Sequence, residues 1–186
     1  MNKPNISQKR ILDLVSLNQN VFSIDDLARI WQINNRHNLY ITLGRYVRGG
    51  LLIKIYRGLY SLKSVDKLDP LVLGSKAINN YCYLSTESVL VNHGVIFQEL
   101  SYFTFISSKN KRIKIENNSY YIRQLKDAQL FNTIGIEKKG NVYVASLERA
   151  VADMLHYNSN YYFDNYKIVD LKKLKEIQIS LGYKTI

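Results

Sequence analysis

Leu51-Leu52-Ile53-Lys54-Ile55-Tyr56-Arg57-Gly58-Leu59-Tyr60-Ser61-Leu62 reads as a small β-hairpin with Arg57-Gly58 at its tip. Apolar and polar residues alternate along it with the period of a half-buried ribbon. A two-residue loop pairs Tyr56 with Leu59 and Ile55 with Tyr60. That register puts Ile53, Ile55, Tyr60 and Leu62 on an inner face and Lys54, Tyr56, Leu59 and Ser61 on an outer one. Gly58 supplies the positive φ that so tight a turn requires. Just upstream, Gly49-Gly50 closes a basic helical segment.

That segment starts at about Asn35. Leu39, Leu43 and Val47 recur at helical spacing with Tyr46 beside them, so this side is the buried one. Asn38, Ile41, Arg45 and Arg48 then face outward, His37 and Thr42 flank them, and Arg36 lies in the first turn. Upstream, residues 7–17 form a first helix with Ile11, Leu12, Leu14 and Val15 as its apolar stripe. A second helix is capped by Ser23, carries Asp25 and Asp26 at the positive end of its dipole, and has Phe22 and Leu27 at the staple positions. Leu27, Ile30 and Trp31 make its core face. Only Gln32-Ile33-Asn34 separates it from the third helix, the spacing of a helix-turn-helix. With the hairpin behind it, the segment predicts a winged helix-turn-helix whose third helix enters the major groove of double-stranded DNA. Arg36, Asn38, Thr42, Arg45 and Arg48 are the candidate DNA contacts on the helix: arginine suits guanine, asparagine adenine, and a methyl of Ile41 or Thr42 the thymine methyl. Lys54 and Arg57 are the candidates on the hairpin, for phosphates or the minor groove. Exposed arginines are otherwise an ordinary solvated face, and the hairpin charges otherwise serve solubility. Helix and hairpin together favour the DNA reading.

The whole chain has 186 residues, 46% of them hydrophobic, and a formal charge of +11. There is enough apolar material for a core, and so basic a balance favours a polyanionic partner, nucleic acid or an anionic membrane surface. The single cysteine, Cys82, excludes an intrachain disulfide and a cysteine-based zinc site. No apolar run is long enough to span a bilayer, so the expected location is the cytoplasm, with no membrane partner. Residues 1–68 hold 11 Lys/Arg against 4 Asp/Glu, a charge of +7, and residues 69–186 hold 15 against 11, a charge of +4. Ser64-Val65-Asp66-Lys67-Leu68-Asp69-Pro70 has the character of a short linker. The expected organisation is therefore a DNA-binding domain over 1–68 and a mixed α/β domain over 69–186, an α+β protein overall.

In the second part, residues 71–78 read as a helix and Tyr81-Cys82-Tyr83-Leu84 as a strand. Ser85 is expected to cap a helix to Asn92, stopped by Gly94. Residues 102–106, 112–115, 120–123 and 141–145 are strand-like. Ser146 caps a helix over 147–155, and a last helix follows Asp170 with Leu171, Leu174, Ile177 and Leu181 on one side. Catalytic patterns are poor. His37, His93 and His156 are scattered, no phosphate-binding glycine loop occurs, and no metal or cofactor site is legible, so the chain is not expected to be an enzyme. Cys82 sits among apolar neighbours as a packing residue. Glu148, Arg149 and Asp153 share one helix, better read as a structural ion-pair network than as an active cluster. Lys109, Lys111, Arg112 and Lys114 form a possible secondary basic patch, and Lys138-Lys139-Gly140 another; either extends a nucleic-acid footprint, meets an acidic partner, or is simply solvated.

Three stretches carry a family resemblance. They are Val47-Arg48-Gly49-Gly50-Leu51-Leu52 with Tyr56-Arg57-Gly58-Leu59-Tyr60, then Leu84-Ser85-Thr86-Glu87-Ser88-Val89-Leu90-Val91-Asn92-His93-Gly94, then Val144-Ala145-Ser146-Leu147-Glu148-Arg149-Ala150-Val151-Ala152-Asp153. In this order and spacing the chain resembles the AbiEi antitoxins of bacterial abortive-infection, type IV toxin–antitoxin systems, which act in phage defence. The resemblance implies a winged helix that represses its own operon at inverted repeats in the promoter. It also implies a C-terminal domain that counteracts a cognate nucleotidyltransferase toxin encoded beside it. By position, Arg36, Asn38, Thr42, Arg45 and Arg48 would read DNA, with Lys54 and Arg57 on the wing. Glu148, Arg149 and Asp153 match the family's "ERA…D" helix without an assignable catalytic role. The alternative is a winged-helix regulator whose C-terminal domain senses a ligand or oligomerises, with no toxin partner.

Overall fold

The computed structural model describes residues 6–185 and is α+β, with two β-sheets. The chain divides into two compact units, one ending at Asn79 and one beginning at Asn80. The division therefore falls after residues 71–78, not at Leu68/Asp69.

The first unit runs α1 (Ile6–Ser16), β1 (Val21–Ser23), α2 (Ile24–Ile30), α3 (Arg36–Arg48), β2 (Ile53–Tyr56), β3 (Leu59–Ser61), a 3-10 turn at Val65–Lys67 and α4 (Pro70–Ile78). Leu14, Phe22, Leu27, Trp31, Leu39, Leu43, Tyr46, Leu52 and Tyr60 form one buried cluster. Each large apolar side chain taken from water contributes roughly 1.5–3 kcal/mol. On α1 only Leu14 is fully buried and Ile11 packs beside it; Leu12 and Val15 are 59% and 57% exposed, so the expected stripe is narrower than the sequence suggested. Ser23 caps α2 in a reciprocal box: its Oγ accepts from the Asp26 N–H, and Asp26 accepts from the Ser23 N–H, both at 3.1 Å.

The hairpin forms with Gly58 at φ +72°, but three details differ from the expectation. Ile53, placed on the inner face, is 40% exposed. A bulge between Lys54 and Tyr56 leaves Lys54, rather than Ile55, opposite Tyr60. Leu59 and Ser61 are buried because β3 is the central strand of an antiparallel β1-β3-β2 sheet. The three-residue β1 was hidden in the sequence by its overlap with the cap of α2. The supposed linker is also built into this unit: Val65 and Leu68 are buried, and Asp69 caps α4 by accepting the Leu71 N–H at 2.7 Å. Lys76 of α4 then reaches the Asp26 carboxylate at 3.0 Å.

The second unit is built on a six-stranded mixed sheet in the order β6-β7-β5-β4-β9-β8. The strands are β4 (Cys82–Leu84), β5 (Phe103–Ser107), β6 (Lys111–Ile115), β7 (Asn118–Gln124), β8 (Ile136–Lys139) and β9 (Val142–Ala145). With them come the helices α5 (Glu87–Asn92), α6 (Asp127–Leu130), α7 (Leu147–Tyr157) and α8 (Leu171–Leu181). Neither β8, with its charged Glu137-Lys138-Lys139 run, nor the single turn of α6 carries a readable period. Thr86, not Ser85, occupies the cap position of α5, at φ +48°. The Ser85 hydroxyl instead donates to Asp153 at 2.9 Å.

Arg149 and Asp153 of α7 are both completely buried and bonded Nε to Oδ1 at 3.0 Å. Nη1 of Arg149 donates to the carbonyls of Asn132 and Ile134, and Nη2 to the Gln129 carbonyl and the Tyr83 hydroxyl. Asp153 accepts from Tyr83, Ser85, Tyr183 and Arg149. Gly135, at φ +68°, lies so close that an added Cβ would stand 2.9 Å from Cβ of Arg149. Removing one partner of such a pair strands the other charge in the interior, at a cost of about 3–5 kcal/mol. Asp153→Ala should lose that much in urea unfolding, and Asp153→Leu/Arg149→Met should lose less than either charge deletion alone. Losses under about 1 kcal/mol in the single variant would contradict a structural role.

Candidate nucleic-acid interface

Helix α3 owes its orientation to its N-cap and its buried stripe. The Asn35 side chain accepts the Asn38 N–H at 3.1 Å, and Leu39, Leu43 and Tyr46 enter the core. Asn38, Ile41, Arg45 and Arg48 consequently lie exposed along the opposite side, and Thr42 is half-buried. The Thr42 hydroxyl donates to the Asn38 carbonyl at 2.8 Å. Arg48 Nε donates to the Gly44 carbonyl at 3.3 Å, so this side chain folds back along its own helix. A 13-residue helix is about 20 Å long, and such a cylinder fits the major groove of B-DNA.

The turn after α3 is tied down: the N–H groups of Leu51 and Leu52 both donate to the Tyr46 carbonyl, at 2.9 and 3.2 Å. The hairpin tip is fixed as well, because the Ile24 N–H donates to the Gly58 carbonyl at 2.8 Å. Arg57 and Lys54 are exposed on this anchored hairpin. From Arg36 to Arg57 the sequence holds five Lys/Arg and no acidic residue. Among the described residues Arg45, Lys54 and Arg57 have no ion-pair partner, whereas Arg36 is paired with Asp25 at 2.5 Å. Apolar side chains stand among these cations. Tyr40 is 58% exposed, and Ile41, Leu51, Ile53 and Tyr56 are also exposed. Tyr40 was not among the expected contacts, because a rotation of about 100° from Leu39 puts it at the flank of the buried stripe and not opposite it.

The other candidates lie in the second unit. Lys111, Arg112 and Lys114 lie on β6, the edge strand of the sheet, and Lys109 just before it, all exposed. Charges on an edge strand discourage pairing with other chains, which gives this patch a structural use. Arg112 also lies 4.7 Å over the Tyr121 ring, itself stacked on Tyr102 at 4.3 Å. Arg149 and Asp153 are closed off from solvent, and Glu148 is half-buried with the Ser146 hydroxyl at 3.3 Å. Burial pushes the Cys82 thiol up to about 12, which keeps it protonated. Among the described residues no cluster of three or more His, Cys, Asp or Glu is disposed to hold a metal ion, and no helix is long and apolar enough to cross a membrane.

No family model matches the chain, and no curated protein is similar to it. Among solved structures it is similar to the crystal structure of the RV2827C protein from Mycobacterium tuberculosis, with a TM-score of 0.54 at 11% identity, over 96% of this chain and 72% of that one. At this identity the likeness concerns the fold alone.

The Arg36–Asp25 pair can be read by titration. The bond from Arg36, then that from Asn79, holds the Asp25 carboxyl below its ordinary 3.8. A depressed folded value means that the pair's contribution is present above the ordinary range and is lost as pH falls through the lowered value. In Arg36→Ala the Asp25 carboxyl should titrate higher than in the parent, followed by its carbon shift in an NMR pH series. An unchanged midpoint would mean that Asp25 does not hold Arg36.

Proposed function

We propose that the first unit is a winged helix-turn-helix, with α3 as the recognition helix and the β2–β3 hairpin as the wing, and that it binds double-stranded DNA as a transcriptional repressor of its own operon. The observation that carries this reading is the set of exposed, unpaired cations Arg45, Lys54 and Arg57 on a helix and an anchored hairpin that adjoin in sequence. Leaving like charges unpaired costs self-repulsion, which a polyanion relieves. Arg45 and Asn38 reach base edges, the Thr42 methyl and Ile41 meet thymine methyls, and Arg48, Lys54 and Arg57 contact phosphates. Arg36 joins them when DNA competes it away from Asp25.

The second unit makes the chain an antitoxin of the AbiEi kind, counteracting a cognate nucleotidyltransferase toxin in the cytoplasm of a bacterium. That part rests on the resemblance of the three sequence stretches, of which the third now has a physical meaning. Its Arg149 and Asp153 hold the unit together, and the chain acts as a binding protein, not as an enzyme.

Gel shifts on the promoter of its own operon test the first part. Arg45→Ala/Arg48→Ala should weaken binding by at least about tenfold, given roughly 1–3 kcal/mol per good base contact, with unfolding unchanged. Affinity of the parent should fall with salt by about 0.9 in log–log slope per neutralised phosphate. Unchanged affinity in the double variant would remove α3 from the interface. For the second part, co-expression of the full chain with a nucleotidyltransferase encoded beside it should restore growth. Continued arrest by a well-expressed chain would end the antitoxin reading and leave the repressor standing.

A further inference from the structure

At the β6 edge of the second unit's sheet, positive charge and aromatic rings occur together. Between residues 107 and 126 the sequence holds six Lys/Arg against one acid, Glu116. Lys109, Lys111, Arg112 and Lys114 are exposed and have no ion-pair partner among the described residues. The register of β6 on β7 sets Arg112 opposite Tyr121 and Lys114 opposite Ser119, so these side chains share one face of the sheet. Tyr102, just before β5, joins that face by stacking on Tyr121 at 4.3 Å and 28°. Arg112 lies over the Tyr121 ring at 4.7 Å. Both rings are half-buried. Farther along β7, Arg123 is paired with Glu87 of α5 and lies 5.3 Å over the Tyr157 ring at the end of α7. The strand end there is anchored: the Gln124 N–H donates to the Asn110 side chain at 2.8 Å, and the Tyr157 hydroxyl to the Gln124 carbonyl at 2.7 Å. Charges that only block strand pairing need no aromatic partner. Here a guanidinium and two rings are ordered on a fixed, partly open sheet face.

We propose that this face of β6 and β7 binds a single strand of nucleic acid, its bases stacked along Arg112, Tyr121 and Tyr102 and its phosphates met by Lys114 and Lys109. The excess of cations on the hairpin is complementary to a polyanion. A duplex hides the faces of its bases and a single strand frees them, so planar groups on an open surface select the unpaired form. Guanidinium planes stack bases as rings do, and a guanidinium already ordered over a ring loses little freedom on binding. Arg112 and Lys114 lie two residues apart on β6, roughly 7 Å along the strand, a step that an extended single strand spans from one nucleotide to the next. Stacking and phosphate contacts are common to RNA and DNA, so the ligand is defined by unpaired bases on a phosphodiester backbone. This site does not involve α3 and does not depend on the repressor reading.

The test follows the fluorescence anisotropy of labelled RNA and DNA single strands, each about twelve nucleotides long to cover one such site. It uses the full chain carrying Arg45→Ala/Arg48→Ala, a background without the α3 arginines, so failure of the repressor reading and failure of this one are read separately. At least one of the two strands should bind, and more tightly than a duplex of the same sequence. Tyr121→Leu should weaken it at least about fivefold, the loss of one stacked base. Tyr121→Phe keeps the ring and should bind as the background does. Arg112→Ala should also weaken binding, and Lys114→Ala should lower the log–log salt slope by about 0.7, one phosphate of a single strand. Both of these side chains are exposed, so their variants remain informative if Tyr121→Leu unfolds. The proposal is overturned if neither strand binds more tightly than about 1 mM, or if the duplex binds as well as they do. Unchanged affinity in both Tyr121→Leu and Arg112→Ala would also overturn it. Labelled polyglutamate bound as tightly as the strands would do the same, in favour of an acidic protein partner.

Discussion

The buried pair of Arg149 and Asp153 is the constraint around which the second unit is organised. Bringing both charges out of water is tolerable only where geometry and additional hydrogen bonds repay the desolvation. Here the five N–H groups of the guanidinium meet one carboxylate, three carbonyls and one hydroxyl. The carboxylate in turn accepts four donors. Tyr83 closes the circuit by accepting from Arg149 and donating to Asp153. The partners come from β4, from the segment at 129–134, from α7, and from Tyr183 just beyond α8. Parts of the chain far apart in sequence can satisfy these charges only in one arrangement, so the network specifies the fold as much as it stabilises it. Its saturation leaves the polar atoms of Arg149 and Asp153 engaged with one another and with their neighbours.

Asp26 has a comparable role in the first unit on a smaller scale. One carboxylate completes the cap of α2, holds Arg29 at 2.7 Å and receives Lys76 at 3.0 Å. Burial works to raise its titration, but the bonds from Lys76 and Ser23 win and leave it below its ordinary 3.8. The same short stretch, Val21 to Ser23, is the outer strand against β3. A single local sequence thus starts a helix, finishes a sheet and receives the fourth helix. This is why α4 belongs to the first unit although a composition shift precedes it and a proline opens it.

The features legible in the sequence were those written in local periodicity and cap chemistry. The buried face of α3, the Ser23 and Ser146 caps, the start of α8 after Asp170 and the hairpin turn at Gly58 follow from neighbours within a few residues. What was not legible depended on partners distant in sequence. Leu59 and Ser61 alternate as if half-exposed, and only the arrival of β1 on the far side of β3 buries them. The bulge beside Lys54 shifts a register that ideal alternation would have kept. Ser85 looks like a cap because serine usually caps, yet α5 starts one residue later, with Thr86 at the cap position, and the Ser85 hydroxyl donates to the carboxylate of Asp153. The candidate interface follows the same division. Its outward cations were readable from helical phase, but the engagement of Arg36 by Asp25, eleven residues earlier, was not.

That engagement bears on how the charge of the first unit is distributed. Its few carboxylates lie before α3 or after the hairpin. Asp25 and Asp26 sit together at the start of α2, where they serve the helix dipole, Arg29, Arg36 and α4. The span from Arg36 to Arg57 contains none. A sequence optimised for stability alone would intersperse the two signs, because surface pairs relieve repulsion at little structural cost. A one-signed surface on elements as firmly anchored as α3 and its hairpin is the feature on which the proposed DNA binding rests. Arg36 is the informative exception. On the DNA-binding reading proposed above, exchange of Asp25 for a phosphate would trade one anionic partner for another, so that this side chain would be ordered before the DNA arrives and still be available to it.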